Sequence, residues 1–247
     1  MECRGRTFDD ERLNELLPRL EKASEVSLVR SAVSDEGMKI LAKLPLLRSL
    51  LISGGDSITD KGVSYLRKAV NLRELYLRET RITDKALTHV GKLPSVWSLI
   101  LDDTAVTDVG CQRLANMDSL SLLGLSGTKV EGWGLDALPN NEYFNLCWER
   151  SAATDAGVIA AVRRLTKLKD LNLSDTAVSD QALAAIAKLR HLDAVRLSNT
   201  RITDAGLAAF QGHPKLVTIY LRGCNISSAA VEKLKEKTPK LMFVYWP

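Results

Sequence analysis

Hydrophobic positions along the chain recur in two alternating periods. From Leu72 to Ser95, LRELYLRETRITDKALTHVGKLPS, the residues Leu72, Leu75 and Leu77 keep an L-x-x-L-x-L spacing. Within it, Leu75, Tyr76, Leu77 and Arg78 alternate with the period of two of a strand with one buried face. The period then changes. Thr83 and Asp84 supply N-capping oxygens, Leu87, Val90 and Leu93 fall on one helical face, and Gly91 and Pro94 are stop signals. The unit is strand, turn, helix, turn in about 24 residues. It is too small to bury either apolar face alone, so it must stack on copies of itself.

Copies start near Ala23 and at Leu47, Leu72, Val96, Leu120, Tyr143, Leu168, Leu192 and Leu216, giving nine repeats over residues 23–240. The copy at Leu47 carries one extra residue after its strand, within 53–57, and the one at Tyr143 is irregular. Residues 1–22 read as an N-terminal helical cap. Asp9 or Asp10 caps a helix whose Leu13, Leu16, Leu17 and Leu20 cover the first repeat, and Pro18 breaks that helix after Leu16. Residues 241–247 read as a C-terminal capping strand, with Trp246 in the place of a buried leucine.

Aligned copies show two polar ladders. One reads Thr80, Thr104, Thr128, Ser151, Thr176, Thr200 and Cys224, expected to satisfy inward backbone groups of the neighbouring copy. The other pairs Thr59-Asp60, Thr83-Asp84, Thr107-Asp108, Thr154-Asp155, Ser179-Asp180 and Thr203-Asp204, expected to act as independent helix caps rather than as a metal site.

Composition narrows the function classes. Hydrophobic content of 45% and charged content of 26% suit a folded soluble chain, and a net charge of +4 is too mild to imply nucleic acid or membrane partners. No apolar run reaches membrane-spanning length, and no secretory signal opens the chain, so a cytoplasmic location is expected. Cys3, Cys111, Cys147 and Cys224 have no paired spacing and read as free thiols. Catalysis is not expected: His89, His191 and His213 fall on helices or in the turns after them, away from candidate nucleophiles such as Cys147 on the strands. Neither a cofactor nor a metal is expected.

The L-x-x-L-x-L-x-x-T-x-I-T-D-x-G-L consensus resembles leucine-rich repeat proteins over about 225 residues. It is closest to the ribonuclease-inhibitor-like and cysteine-containing types, with Thr in the ladder as in a short bacterial-like 24-residue variant. The resemblance implies an α/β fold, a right-handed solenoid or horseshoe with a parallel sheet on the concave face and helices on the convex face. It also implies binding on the concave side. Side chains flanking the buried strand positions should line that surface, and Tyr76, Arg78, Ile100, Asp102, Glu149, Arg196 and Tyr220 are the candidate contacts for a protein partner.

The expected function is therefore a non-catalytic protein-recognition module. Alternatives are a substrate-recognition component of a ubiquitin-ligase or bacterial effector system, and a structural or regulatory subunit of a larger complex. Trp148 is expected to fill the core of the irregular repeat, while Trp97 and Trp133 are candidates for a second contact.

Overall fold

The computed structural model describes residues 1–5, 7–142 and 144–246. Tyr143, the expected start of the irregular repeat, and Pro247, the expected end of the last strand, lie outside the described residues. The chain divides into two compact units, 1–124 and 125–247.

In the first unit the elements are β1 (Glu2–Arg4), α1 (Asp10–Leu16), β2 (Glu25–Val29), α2 (Asp35–Leu41), β3 (Ser49–Thr59), α3 (Asp60–Tyr65), β4 (Glu74–Arg81), α4 (Asp84–Val90), β5 (Ser98–Ile100), α5 (Asp108–Cys111) and β6 (Leu122–Gly124). The second opens with a 3₁₀ turn at Trp133–Ala137. It continues with β7 (Phe144–Cys147), α6 (Asp155–Arg164), β8 (Leu168–Asn172), α7 (Asp180–Ile186), β9 (Ala194–Arg196), α8 (Asp204–Leu207), β10 (Thr218–Tyr220), α9 (Ser228–Lys237) and β11 (Phe243–Tyr245). Within each unit the strands pair in parallel with their neighbours in chain order. The class is the α/β repeat solenoid that the alternating periods predict.

The core lies between sheet and helices. Leu72, Leu75, Leu77, Leu87 and Val90 have no exposed surface, and the same columns are filled by Leu168, Leu171, Leu173, Leu183 and Ile186 in the second unit. Each such side chain contributes about 1.5–3 kcal/mol by leaving water.

Two expectations need correction. Residues 1–22 hold more than a helix: β1 pairs with β2 through Cys3 and Leu28, so this segment already has the strand-then-helix order of the repeats. Its helix does start after the cap Asp9 and stop at Leu16, with Pro18 in the adjoining 3₁₀ turn; Leu13 and Leu20 are buried, whereas Leu16 and Leu17 are half-exposed. Second, the extra residue near 53–57 does not come after a short strand. β3 runs on to Thr59, with its register to β4 shifted between Gly55 and Thr59.

The polar ladders also work differently from expectation. The threonine hydroxyls donate within their own repeat, to the carbonyl three residues back: Thr104 to Leu101 at 2.6 Å, Thr176 to Leu173 at 2.6 Å. Cys224 alone among the described ladder members reaches the preceding repeat, where its Sγ donates to Leu197 O at 3.0 Å. The aspartates, by contrast, join repeats. Asp60 Oδ1 accepts from the Thr83 N–H at 2.7 Å and the Ala86 N–H at 3.1 Å, while its Oδ2 accepts from the Thr83 hydroxyl at 2.7 Å. The Thr83 hydroxyl in turn accepts from the Lys85 N–H at 3.3 Å, which makes Thr83 the cap of its own helix. The same staple links Asp10 to Ser34, Asp35 to Thr59, Asp84 to Thr107, Asp155 to Ser179, Asp180 to Thr203 and Asp204 to Ser227. These carboxylates are helix-to-helix ties, and the capping is done by the hydroxyls. Gly62 shows why a small residue belongs two positions after the aspartate: a Cβ there would lie 2.4 Å from Asp35 Oδ1, which accepts the Gly62 N–H at 2.9 Å.

A further column is invisible in the hydrophobic pattern. Arg30, Glu79, Asp103, Arg150, Asp175 and Asn199 all have φ between 49° and 57°, and Gly54, Gly127 and Gly223 occupy the same turn position with φ between 67° and 74°. Stacking enforces this left-handed turn. The N–H groups of Arg30, Glu79, Gly127, Arg150, Asp175 and Asn199 point at the next strand's end, Arg30 to Ser53 O at 2.7 Å and Asn199 to Arg222 O at 2.8 Å, which offsets a conformational cost of about 1–2 kcal/mol for a non-glycine residue.

Candidate functional site

Strand geometry sends every second side chain to solvent, and parallel in-register pairing lines those side chains into columns. In the first unit the central column runs Ser27, Leu51, Tyr76, Ile100 and Gly124. Tyr76 is half-buried; Ser98 donates its hydroxyl to the phenol oxygen at 3.2 Å, and the Arg78 guanidinium lies 5.7 Å from the ring centroid. Arg78 Nε is 3.4 Å from Asp102 Oδ2. Tyr76, Arg78 and Asp102 thus form one mixed aromatic and charged group. Ile100 does not join it as an exposed contact: only 5% of its surface is accessible. The reason is its neighbour in register, Gly124, where a Cβ would come within 2.7 Å of Ile100 Cδ1. Ile100 fills the space that glycine leaves.

In the second unit the central column runs Cys147, Asn172, Arg196, Tyr220 and Tyr245. Asp170 forms an ion pair with Arg196, whose guanidinium lies 5.1 Å from the Tyr220 ring centroid. Burial pulls the guanidinium's proton affinity down, but the Asp170 charge and hydrogen bond outweigh it and hold the Arg196 pKa above its usual value. Tyr220 and Tyr245 stack with centroids 4.3 Å apart and planes 6° apart, and Phe243 lies 6.5 Å from Tyr245. Phe243 and Tyr245 are about half exposed. Glu149 accepts from Asn172 Nδ2 at 2.7 Å, at the column position before Arg196. Of the candidates in this unit, Arg196 and Tyr220 are brought together, while Glu149 bonds to Asn172, their neighbour in the column, and lies 3.9 Å from Arg150 Nε.

Sequence reasoning places Phe243 and Tyr245 on this face without counting them as contacts. The signal is present: four aromatic or cationic residues succeed one another along the strands at Arg196, Tyr220, Phe243 and Tyr245. Trp97 and Trp133 are 40% and 46% exposed, whereas Trp148 is fully buried and its indole N–H donates to Val130 O at 3.1 Å. Gly132, with φ of 120°, gives that ring its room, since a Cβ there would lie 2.4 Å from it. Trp246 makes a matching bond to Ile226 O at 3.1 Å, though it is only half-buried.

His213 is buried, and its ring is committed to the main chain. Nδ1 accepts from the Leu216 N–H at 2.9 Å and the Lys215 N–H at 3.3 Å, and Nε2 lies 3.0 Å from Leu189 O. It has no free nitrogen with which to act as a base on Cys147. Among the described residues no group of three or more His, Cys, Asp or Glu side chains is placed to hold a metal ion, and no helix is long and apolar enough to cross a membrane.

A family model described as leucine-rich repeat matches residues 164–187 and 188–210. No curated protein matches. Two solved structures from Listeria monocytogenes are similar in fold. An internalin, inlF, aligns with a TM-score of 0.64 and 22% identity over 93% of this chain and 68% of its own. Internalin C2, inlC2, aligns with a TM-score of 0.59 and 23% identity over 86% of this chain and 84% of its own.

Proposed function

We propose that this chain, a leucine-rich repeat protein, is a non-catalytic recognition module that binds a protein partner on the solvent face of its sheet. The observation that carries the reading is the second unit's ladder of Asp170, Arg196, Tyr220, Tyr245 and Phe243. Tyrosine and arginine are enriched among the residues that dominate interface energetics, tyrosine because it adds large contact area at small entropic cost and arginine through its planar fork of hydrogen-bond donors. Here their rings are already stacked and the guanidinium already oriented, so little order has to be gained on binding. The group of Tyr76, Arg78 and Asp102 on the first unit offers a smaller surface of the same chemistry. A cytoplasmic location belongs to the same proposal.

Capture from the source cell's lysate tests it. The wild-type chain is compared with Arg196→Glu/Tyr220→Ala/Tyr245→Ala, both shown by circular dichroism to be folded. A partner held by the first and lost by the second supports the reading. A partner held equally by both moves the site to the helices or the exposed Trp97 and Trp133, and favours the role of a structural subunit.

A further inference from the structure

We infer that the flank of the second unit, where the helix-to-strand turns enter the sheet, holds a binding cleft for a compact phosphate-bearing anion. A cavity of about 200 Å³ is lined there by Lys167, Lys169, His191, Lys215 and Glu142. The basic side chains come from three successive turns and, for Lys169, from the start of β8. Two of those turns are anchored from below. Asn140 accepts the Lys167 N–H at 3.2 Å and donates to the Thr166 hydroxyl at 2.9 Å, and the buried His213 ring accepts the Lys215 and Leu216 N–H groups. The main chain beneath Lys167 and Lys215 is therefore set before any ligand arrives, and only side-chain freedom is lost on binding.

Charge selects the ligand class. Three ammonium groups and an imidazole outnumber the one carboxylate of the lining, Glu142, which lies 3.4 Å from Lys167 with both side chains well exposed; Asp193, whose N–H donates to Lys169 O at 2.8 Å, adds a second carboxylate beside the cleft. The exposed Glu142–Lys167 pair contributes little, and a multivalent anion displaces it readily. An ammonium is a compact point charge, suited to phosphate oxygens converging from several directions. An extended acidic peptide fits less well, because its neighbouring carboxylates would meet Glu142 at the rim. The cleft comes from the second unit's sequence rather than from the fold. The first-unit positions matching Lys167, His191 and Lys215 are Leu46, Asn71, Ser95 and Ser119, none of them charged, whereas Arg48 and Arg73 match Lys169.

Inorganic pyrophosphate titrated calorimetrically into the full chain at low ionic strength and neutral pH tests the site. The expected result is saturable binding at one site, weakened about tenfold or more by Lys169→Glu/Lys215→Glu and by the milder Lys169→Gln/Lys215→Gln. Lys233→Glu, an exposed position on α9 outside the cleft, should leave it unchanged. Absence of saturable heat would overturn the assignment, as would equal weakening by Lys233→Glu, which would mean bulk charge alone. Tighter binding of a glutamate-rich peptide than of pyrophosphate would also overturn it, in favour of an acidic protein partner.

Discussion

Each unit is built on the same pattern of core columns and the same staple, and the two differ in what their sheets show to solvent. In the first, Tyr76 stands between Leu51 and the buried Ile100, its phenol tied to Ser98 and its ring stacked on no other aromatic side chain among the described residues. In the second, Tyr220 sits between Arg196 and Tyr245 and becomes part of a continuous charged and aromatic ladder. The strand positions are equivalent. What differs is the residue one strand away in register, so recognition chemistry in such a fold is a property of columns rather than of single residues.

Substitutions in the shared parts and in the differing face should separate cleanly. The largest effect belongs to the core. Leu75→Asp and Val195→Asp each bury an unpaired charge and should unfold their unit or cost more than about 4 kcal/mol, whereas Tyr76→Asp and Tyr220→Asp should leave the fold intact in denaturant titrations. Equal damage from core and face variants would mean that the two sides of the strand have been confused. Next come the staples. Asp60→Ala and Asp180→Ala strip a neighbouring cap of charge-assisted hydrogen bonds, and each should cost about 2 kcal/mol, alike in both units. A neutral result would mean that the bonds between repeats add nothing to stability.

His213 gives the second unit a pH dependence of its own. Burial pushes its pKa down, more than the Leu189 carbonyl raises it; nearby Arg190 also lowers it and Asp193 raises it slightly. The unfolded chain then binds the proton more readily than the folded one. Stability should be complete above the ordinary histidine value of about 6.5 and fall as pH drops below it. Asp204, held low by its bonds to Ser227, acts only in the more acidic carboxylate range. Thermal melts between about pH 7.5 and 5.5 on wild type and His213→Gln should show a slope in the first that is reduced in the second. The smallest effect is at the left-handed turn: Arg30→Asn should raise stability by up to about 1 kcal/mol, because asparagine tolerates that φ better.

Much of the fold can be read from spacing. The switch from period two to period 3.6 locates the strands and helices, and the buried leucines lie in the columns that the alignment picks out. Contacts between repeats are harder to read. Asp60 and Asp84 look like helix caps from their own repeat, and their partners, Thr83 and Thr107, lie 23 residues on. The strand at Glu2–Arg4 is three residues long, with Cys3 where a leucine would have marked it. The left-handed column is disguised by Arg30, Glu79 and Arg150 among its glycines, aspartates and asparagine. Alternation places Tyr76, Arg78, Asp102, Arg196 and Tyr220 on the strand side away from the buried leucines, and says nothing of what binds there. The burial of Ile100 depends on Gly124 in the next strand, and the ladder through Tyr245 on pairing that no single repeat reveals.

The most direct test of recognition through the sheet is the affinity of a captured partner for two folded variants, Tyr76→Ala/Arg78→Glu/Asp102→Arg in the first unit and Arg196→Glu/Tyr220→Ala/Tyr245→Ala in the second. The expected result is a loss of about a hundredfold or more from the second, since stacked tyrosines and an oriented arginine are removed together, and a smaller loss from the first. Wild-type affinity in both would contradict recognition through the sheet face.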